Sequence, residues 1–377
     1  MRVTQVVAVL SVLLVTACGE GLPEAAAVSR SVQALSVVDL EVRIGSSSVD
    51  YKDPEYRIRP DGGVVTFLDQ DNAIWLAGLD AEGKLVPDGG RGIRLGTNGP
   101  YFRSANGPEF GLSARGEAVV WTGLDAAGVR QFFIHRDGVT AQLTHGTVDL
   151  AANLPCKDPT APEQKILGFT TSPAGQSWFW ITESDPENRH PVPLAKFASG
   201  GPWWYLDSSR ILTNTNDVNG VAQVTLVEPS GALRVLTSGG PAKVDMLAFR
   251  APERGGAPVL LAILEERRQH RRLAFFAVNE ATPVSAPFAQ APFASELRSP
   301  EPFVFQSTSG ASVVVTGEGT NDIVLVGLDG GVTAVSRPTP LARTDPETFV
   351  IGGSLFVSYY VTSRTGPVAL FHTRVGP

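Results

Sequence analysis

The side chains that could do covalent, metal or anion chemistry here are few and widely spaced. Two cysteines (Cys18 and Cys156) and five histidines (His135, His145, His190, His270 and His372) make up the thiols and imidazoles. No two histidines stand at paired-ligand spacing, so no metal site and no cofactor is expected. A serine nucleophile on a strand-to-helix elbow would need Gly-x-Ser-x-Gly, which is absent, and no catalytic residue is assigned. Thr213–Gly220 reads Thr-Asn-Thr-Asn-Asp-Val-Asn-Gly, rich in the oxygen donors of a calcium loop. Thr215 stands where the first aspartate belongs and no distal glutamate follows, so a hairpin turn is expected. Asp80-Ala81-Glu82-Gly83-Lys84 reads as another turn.

Two patches suit recognition. Glu265–Arg272 bridges two apolar runs and should project as a charged hairpin tip. Its Arg267, Arg268, Arg271 and Arg272 either solvate that tip or offer planar donors to lipid phosphate or an acidic partner. Trp178, Trp180, Trp203, Trp204 and Tyr205 fit an inter-blade core or, alternatively, a carbohydrate platform.

Cys18 has a different context. Arg2 precedes an apolar run from Val6 to Ala17, the pattern of a secretory signal and too short to span a membrane. Its end, Val15-Thr16-Ala17-Cys18, resembles the bacterial lipobox. The resemblance implies thioether attachment of a diacylglycerol to Cys18, cleavage before it and acylation of the new amine. Several acyl chains suffice for stable anchoring. Residues 1–17 are thus expected as signal peptide and 18–35 as lipidated tether. From residue 19 the tether would reach on the order of 55 Å at about 3.3 Å per residue. Gly19 favours the outer membrane, on its periplasmic side or at the cell surface.

The formal charge of −7, with acids and bases mixed along the chain, argues against nucleic acid as partner. Cys156 alone in the mature protein leaves no intramolecular disulfide, and a small buried residue is expected there. Glycine (39) and proline (28) are abundant, pointing to many turns and short strands.

One theme repeats over residues 36–377. Tyr56–Arg59, Val64–Leu68, Ala73–Leu79 and Lys84–Val86 are short, mostly apolar runs alternating with turns rich in Asp, Asn and Gly, the signature of a meander. Second strands of further units fall at Glu117–Thr122, Gln176–Thr182, Arg210–Thr215, Pro258–Glu265, Ser312–Thr316 and Leu355–Val361. Four-stranded repeats at such spacing predict an all-β fold, a β-propeller of seven blades with six as the alternative. The weak unit is the third, where no fourth strand separates Leu194–Phe197 from Trp203. Val37–Ile44 has no unit of its own and is expected to complete the last blade, closing the ring without a covalent bond.

At the first hairpin, Arg59-Pro60-Asp61-Gly62-Gly63-Val64-Val65-Thr66-Phe67 resembles the Ser-Pro-Asp-Gly-Lys-x-Ile-Ala-Phe repeat of TolB-like propellers. Ser172-Pro173-Ala174-Gly175-Gln176 and Ser113-Ala114-Arg115-Gly116-Glu117 are degenerate copies. Gln142-Leu143-Thr144-His145-Gly146 and Val235-Leu236-Thr237-Ser238-Gly239 are similar to the same family's Leu-Thr-x-Gly blade endings. These residues build blades rather than sites. The expected function is a monomeric, membrane-anchored, non-catalytic scaffold for an envelope protein or glycan. The alternative is a glycan-acting enzyme whose acids converge in the central funnel. Three or more acids or histidines meeting there would favour the enzyme.

Overall fold

The computed structural model describes residues 36–376 apart from 46–49, 60–61, 87–91, 100–106, 196–200, 207, 268–269, 292–296, 305–311, 319–321, 338–341 and 363–368. Residues 33–377 form one compact unit. Cys18, the signal, the tether through residue 35, the Pro60-Asp61 turn and Arg268 therefore lie outside the described residues.

The described strands pair, all antiparallel, into seven small sheets, taken here as blades 1 to 7 in chain order. Blade 1 runs Lys52–Arg59, Gly62–Leu68, Ala73–Leu79 and Leu85–Val86, with Ile93–Thr97 as a fifth strand beside the third. Blade 2 is Glu109–Ser113, Gly116–Leu124, Arg130–Arg136 and Val139–Gln142. Blade 3 is Leu150–Pro155, Lys165–Ser172, Gly175–Thr182 and His190–Val192. Blade 4 begins at Trp203–Trp204, blade 5 at Ala242–Ala251, blade 6 at Leu297–Val304 and blade 7 at Ala342–Ile351.

The N-terminal strand Ser36–Ile44 lies outermost in blade 7, antiparallel to Ala369–Gly376, with Val42 opposite His372 and Ile44 opposite Leu370. The sequence-based closure of the ring is thus what the fold shows.

Apolar residues on both faces of each blade build the cores. Val120, Phe132, Ile166 and Phe179 join blades 2 and 3, and Leu212, Val224, Leu260 and Phe276 join blades 4 and 5. Ile44, Phe349 and Phe356 of blade 7 pack with Val65 and Phe67 of blade 1. Blades that would be marginal alone are covered on both sides.

The repeat motifs have local causes. In the Ser-x-x-Gly hairpins, Ser113 and Ser172 hydroxyls accept the Arg115 and Ala174 amides at 3.2 Å, and Gly116 and Gly175 take φ of 91° and 123°. In the blade endings, Leu143 and Leu236 donate to the Phe132 and Val224 carbonyls at 2.8 Å, while Thr144 and Thr237 hydroxyls accept those residues' amides at 3.0 Å. One residue thus bonds as a strand and the next substitutes its hydroxyl for a carbonyl. Asp217 accepts the Asn219 and Val221 amides at 2.8 and 3.0 Å, so the expected hairpin turn is formed by Asp217–Gly220, with Thr213–Asn216 in the strand Ile211–Asn216 before it; Asp80 does the same for Glu82 and Lys84.

Blade 3 departs from the expected reading. Its last strand is His190–Val192 rather than Leu194–Phe197, and its first, Leu150–Pro155, has every residue buried. A strand covered on both faces shows no alternation to read.

Candidate axial binding site

The first strand of blade 1 touches those of blades 2 and 7, blade 2 touches blade 3, and blade 6 touches blades 5 and 7. Each such strand is an edge of its own sheet, so a proline within it removes no ladder hydrogen bond that the sheet needs. Four of them carry Pro-Glu: Asp53-Pro54-Glu55-Tyr56, Gly107-Pro108-Glu109-Phe110, Ser299-Pro300-Glu301-Pro302-Phe303 and Asp345-Pro346-Glu347-Thr348-Phe349. In blades 1, 6 and 7 the register shifts immediately before the glutamate. Asp53 and Asp345 occupy these bulges at φ of 52° and 56°, a left-handed conformation that aspartate tolerates better than most side chains. The bulge re-aims neighbouring carboxylates toward the seams between blades.

The carboxyls meet there. Asp53 hydrogen-bonds Asp345 across the seam of blades 1 and 7, and accepts the Gly107 amide of blade 2. Asn153 of blade 3 continues the chain by donating Nδ2 to the Gly107 carbonyl at 2.9 Å. Burial raises the Asp53 carboxyl, while its bonds to Asp345 and Gly107 oppose the rise. Asp345 is pushed well above the usual range, by burial first and then by the charge of Asp53, with Glu55 and Glu109 adding to it. The two carboxyls are therefore held as a proton-sharing pair. Glu55 is raised by burial, against the ammonium of Lys157, and hydrogen-bonds Glu347. The Lys157 Nζ lies 3.6 Å from Glu55 and 3.7 Å from Glu109, on a side chain that is largely exposed.

Beside this cluster opens a cavity of about 310 Å³, lined by Glu109 and Lys157 and by Trp203, Trp204 and Tyr205. Leu154, Pro155 and Leu247 supply apolar wall. Trp204 is fixed by donating Nε1 to the Leu154 carbonyl at 2.8 Å and by an edge contact with Trp180 at 6.4 Å. Arg210 lies over the Tyr205 ring and pairs with Glu280 at 2.8 Å. The aromatic set is thus divided. Trp178 is buried against Phe169 in the core between blades 3 and 4, and Trp180 stacks on His190 at 3.8 Å. Only Trp203, Trp204 and Tyr205 reach the cavity.

The arginine segment forms the end of a hairpin, as expected, between Ala257–Arg267 and His270–Ala277. Of its arginines, Arg271 binds Glu265 at 3.1 Å and Arg272 binds Glu266 at 3.2 Å, while the Arg267 side chain and Arg268 lie outside the described residues. Cys156 is fully buried beside Gln164, and burial pushes its thiol up. Among the described residues no group of three or more His, Cys, Asp or Glu is arranged to hold a metal ion.

Sequence reasoning missed the Pro-Glu residues because proline within an apolar run argues against a strand. The signal was available: Pro-Glu followed by Tyr or Phe within three residues occurs four times, once per blade in blades 1, 2, 6 and 7.

No protein-family model matches the chain, and no curated protein matches it. Among solved structures it is similar to BBS1N in complex with ARL6DN, at 8% identity over 90% of this chain and 97% of that one, with a TM-score of 0.56. It is similar to oligogalacturonate lyase in complex with manganese, at 12% identity, 90% and 96% coverage and a TM-score of 0.56. TolB from Acinetobacter baumannii aligns at 13% identity over 85% of this chain and 64% of that one, with a TM-score of 0.41. At these identities the likenesses speak for the propeller fold alone.

Proposed function

We propose that this propeller is a binding domain, carried to the cell envelope on a Cys18 lipid anchor, that receives a glycan in its axial cavity. The observation behind the reading is the cavity that Trp203 and Trp204 line together with Glu109 and Lys157. Aromatic rings cover the apolar face of a sugar, and a carboxylate with an ammonium supplies an acceptor and donors for its hydroxyls. The volume of about 310 Å³ suits one or two sugar residues rather than a long chain. A protein of similar fold is named for oligogalacturonate, so this scaffold can host saccharides.

The test uses Cys18→Ala full-length protein, soluble in the absence of lipid, titrated calorimetrically against envelope-derived and plant-derived oligosaccharides. Saturable binding is expected, weakened about tenfold or more by Trp203→Ala and by Lys157→Ala. Binding that survives both substitutions overturns the assignment to this cavity. Recovery of one envelope protein, and no glycan, by the acylated bait would make the partner a protein.

A second reading, glycan turnover, draws on the converging acids. Asp53, Glu55 and Asp345 meet with raised carboxyls, Glu347 bonds to Glu55, and Glu109 joins them through Lys157. A carboxyl kept protonated near neutral pH is what general-acid catalysis requires. New reducing or unsaturated ends, lost in Glu55→Gln, would support turnover; their absence with every bound glycan would leave pure binding.

A further inference from the structure

A second cavity, of about 260 Å³, lies where blade 7 meets blade 1. Its walls are Val42 and Ile44 of the ring-closing strand and Phe356 of blade 7; Lys84, Arg374 and Glu82 bear its charges. His372 is its buried polar group, only 2% exposed. Strand register explains the grouping. His372 stands opposite Val42 on one side and Ser358 on the other, Arg374 stands opposite Phe356, and alternation puts them all on the face toward blade 1.

His372 uses one nitrogen and leaves the other without a partner. Its Nε2 lies 3.1 Å from the Tyr56 hydroxyl, which lies 2.5 Å from the Ser358 hydroxyl. Its Nδ1 is buried with no hydrogen-bond partner. That edge of the ring faces the blade 1 turn, where a Cβ added to Gly83 would sit 3.3 Å from Nδ1. Burial pulls the imidazole down to about 3, so it is neutral at physiological pH. Burial likewise raises the Tyr56 phenol, which stays protonated. With both neutral, the Ser358–Tyr56–His372 chain can run in either sense; in the tautomer where Tyr56 donates to Nε2, Nδ1 carries the ring proton. In that tautomer the pocket presents an N–H donor without a partner in the fold, which costs free energy unless a ligand or water accepts it.

We infer that this seam cavity is a binding site for a small carboxylate with an apolar body, its oxygens accepting from His372 Nδ1–H and facing Lys84 and Arg374. Glu82 leaves the rim with a net charge of +1, enough to prefer an anion. Val42, Ile44 and Phe356 are suited to a ring or short alkyl chain, and the volume excludes a long acyl tail. Because the walls come from the closing strand, from blade 7 and from blade 1, an occupant binds only the closed ring and stabilises it.

The experiment uses the full-length Cys18→Ala protein with ring-¹⁵N histidine, titrated with sodium benzoate, benzamide and inorganic phosphate to about 10 mM, ample for a Kd below about 1 mM. Benzoate is expected to shift one Nδ1 resonance, absent in His372→Gln, and to raise the unfolding temperature. Lys84→Ala, an exposed position, should weaken benzoate about fivefold. Val42→Trp, which fills the cavity from an exposed edge residue, should abolish the shift while leaving the protein folded. Equal binding of benzamide overturns the anion preference, and equal binding of phosphate overturns the apolar body. No Nδ1 shift with benzoate means that water satisfies the nitrogen, and the site falls. None of these outcomes depends on the axial cavity.

Discussion

Replacing Asp245 with asparagine should stabilise this protein at neutral pH and do nothing in acid. Asp245 lies in the first strand of blade 5, at the register shift that follows Lys243, and its Oδ1 accepts the Met246 amide at 2.9 Å. Burial raises its carboxyl from 3.8 to about 6, against the opposing pull of the Met246 amide, Trp203 and Arg271. A rise of roughly two units, at about 1.4 kcal/mol each, makes the ionised form about 3 kcal/mol less compatible with the fold than with the unfolded chain. The folded pKa lies above the unfolded one, so the native state binds more protons through that window. The penalty is therefore absent below about pH 4 and complete above about pH 7. Asparagine keeps the Oδ1 acceptor and the volume but never ionises. Urea unfolding of both proteins between about pH 4 and about pH 8 should show Asp245→Asn ahead by about 2–3 kcal/mol at the alkaline end, converging to near zero at the acid end. An offset that does not change with pH, or a variant less stable at pH 8, would refute the argument that burial of this charge is what raises the carboxyl.

Other expectations follow the same logic. Asp345→Asn should also stabilise the fold above neutral pH, because it removes the proton that Asp345 must hold against Asp53; an unchanged pH profile of unfolding would exclude that pairing. Lys243, buried and bonded to Gln223 at 2.8 Å, has its ammonium pulled down by burial from 10.5 to about 8. Its penalty is relieved as pH rises through that interval, and Lys243→Met should flatten the corresponding gain in unfolding free energy. Thr237→Val strands the Val224 amide and should cost about 1–3 kcal/mol in chemical denaturation, whereas Thr237→Ser should cost far less. Cys156 should react with a disulfide reagent far more slowly in native protein than in urea; equal rates would show that its burial is not maintained in solution.

What was legible in the sequence was whatever the solvent boundary imprints on it. Ala73–Leu79 and Gln131–His135 are short apolar runs bounded by polar turns, Asp80 and Asp217 close their turns through side-chain acceptors, and the paired apolar segments flanking Arg267 and Arg268 mark a hairpin. Leu150–Pro155 carries no such imprint, since six consecutive buried residues leave no polar face to mark the period. Ile93–Thr97 was missed for another reason: it attaches to the third strand of blade 1 beside Leu85–Val86 and follows no repeat. The candidate site was the least legible part. Glu55, Glu109 and Lys157 are far apart in sequence and meet only because the blades close into a ring. The local cue, Pro-Glu in a strand, contradicts ordinary strand preference except at an edge lining an axis. Trp178, Trp180, Trp203 and Trp204 read as one aromatic set in the sequence and all pack at the cluster between blades 3 and 4, so that Trp203 and Trp204 also line the cavity is visible only in the folded chain.

The pairing of Ser36–Ile44 with Ala369–Gly376 also sets an order of events for folding. The strand made first is completed last, so it must wait, unpaired, while every other blade forms. Joining such distant segments is not itself prohibitive, since loop entropy grows only logarithmically with length. The greater exposure is in time: until the last hairpin exists, the first strand and the open side of blade 7 are unsatisfied edges that other chains could pair with. A chain halted before Ala369 would keep both edges open, so the loss of stickiness waits on one strand pairing.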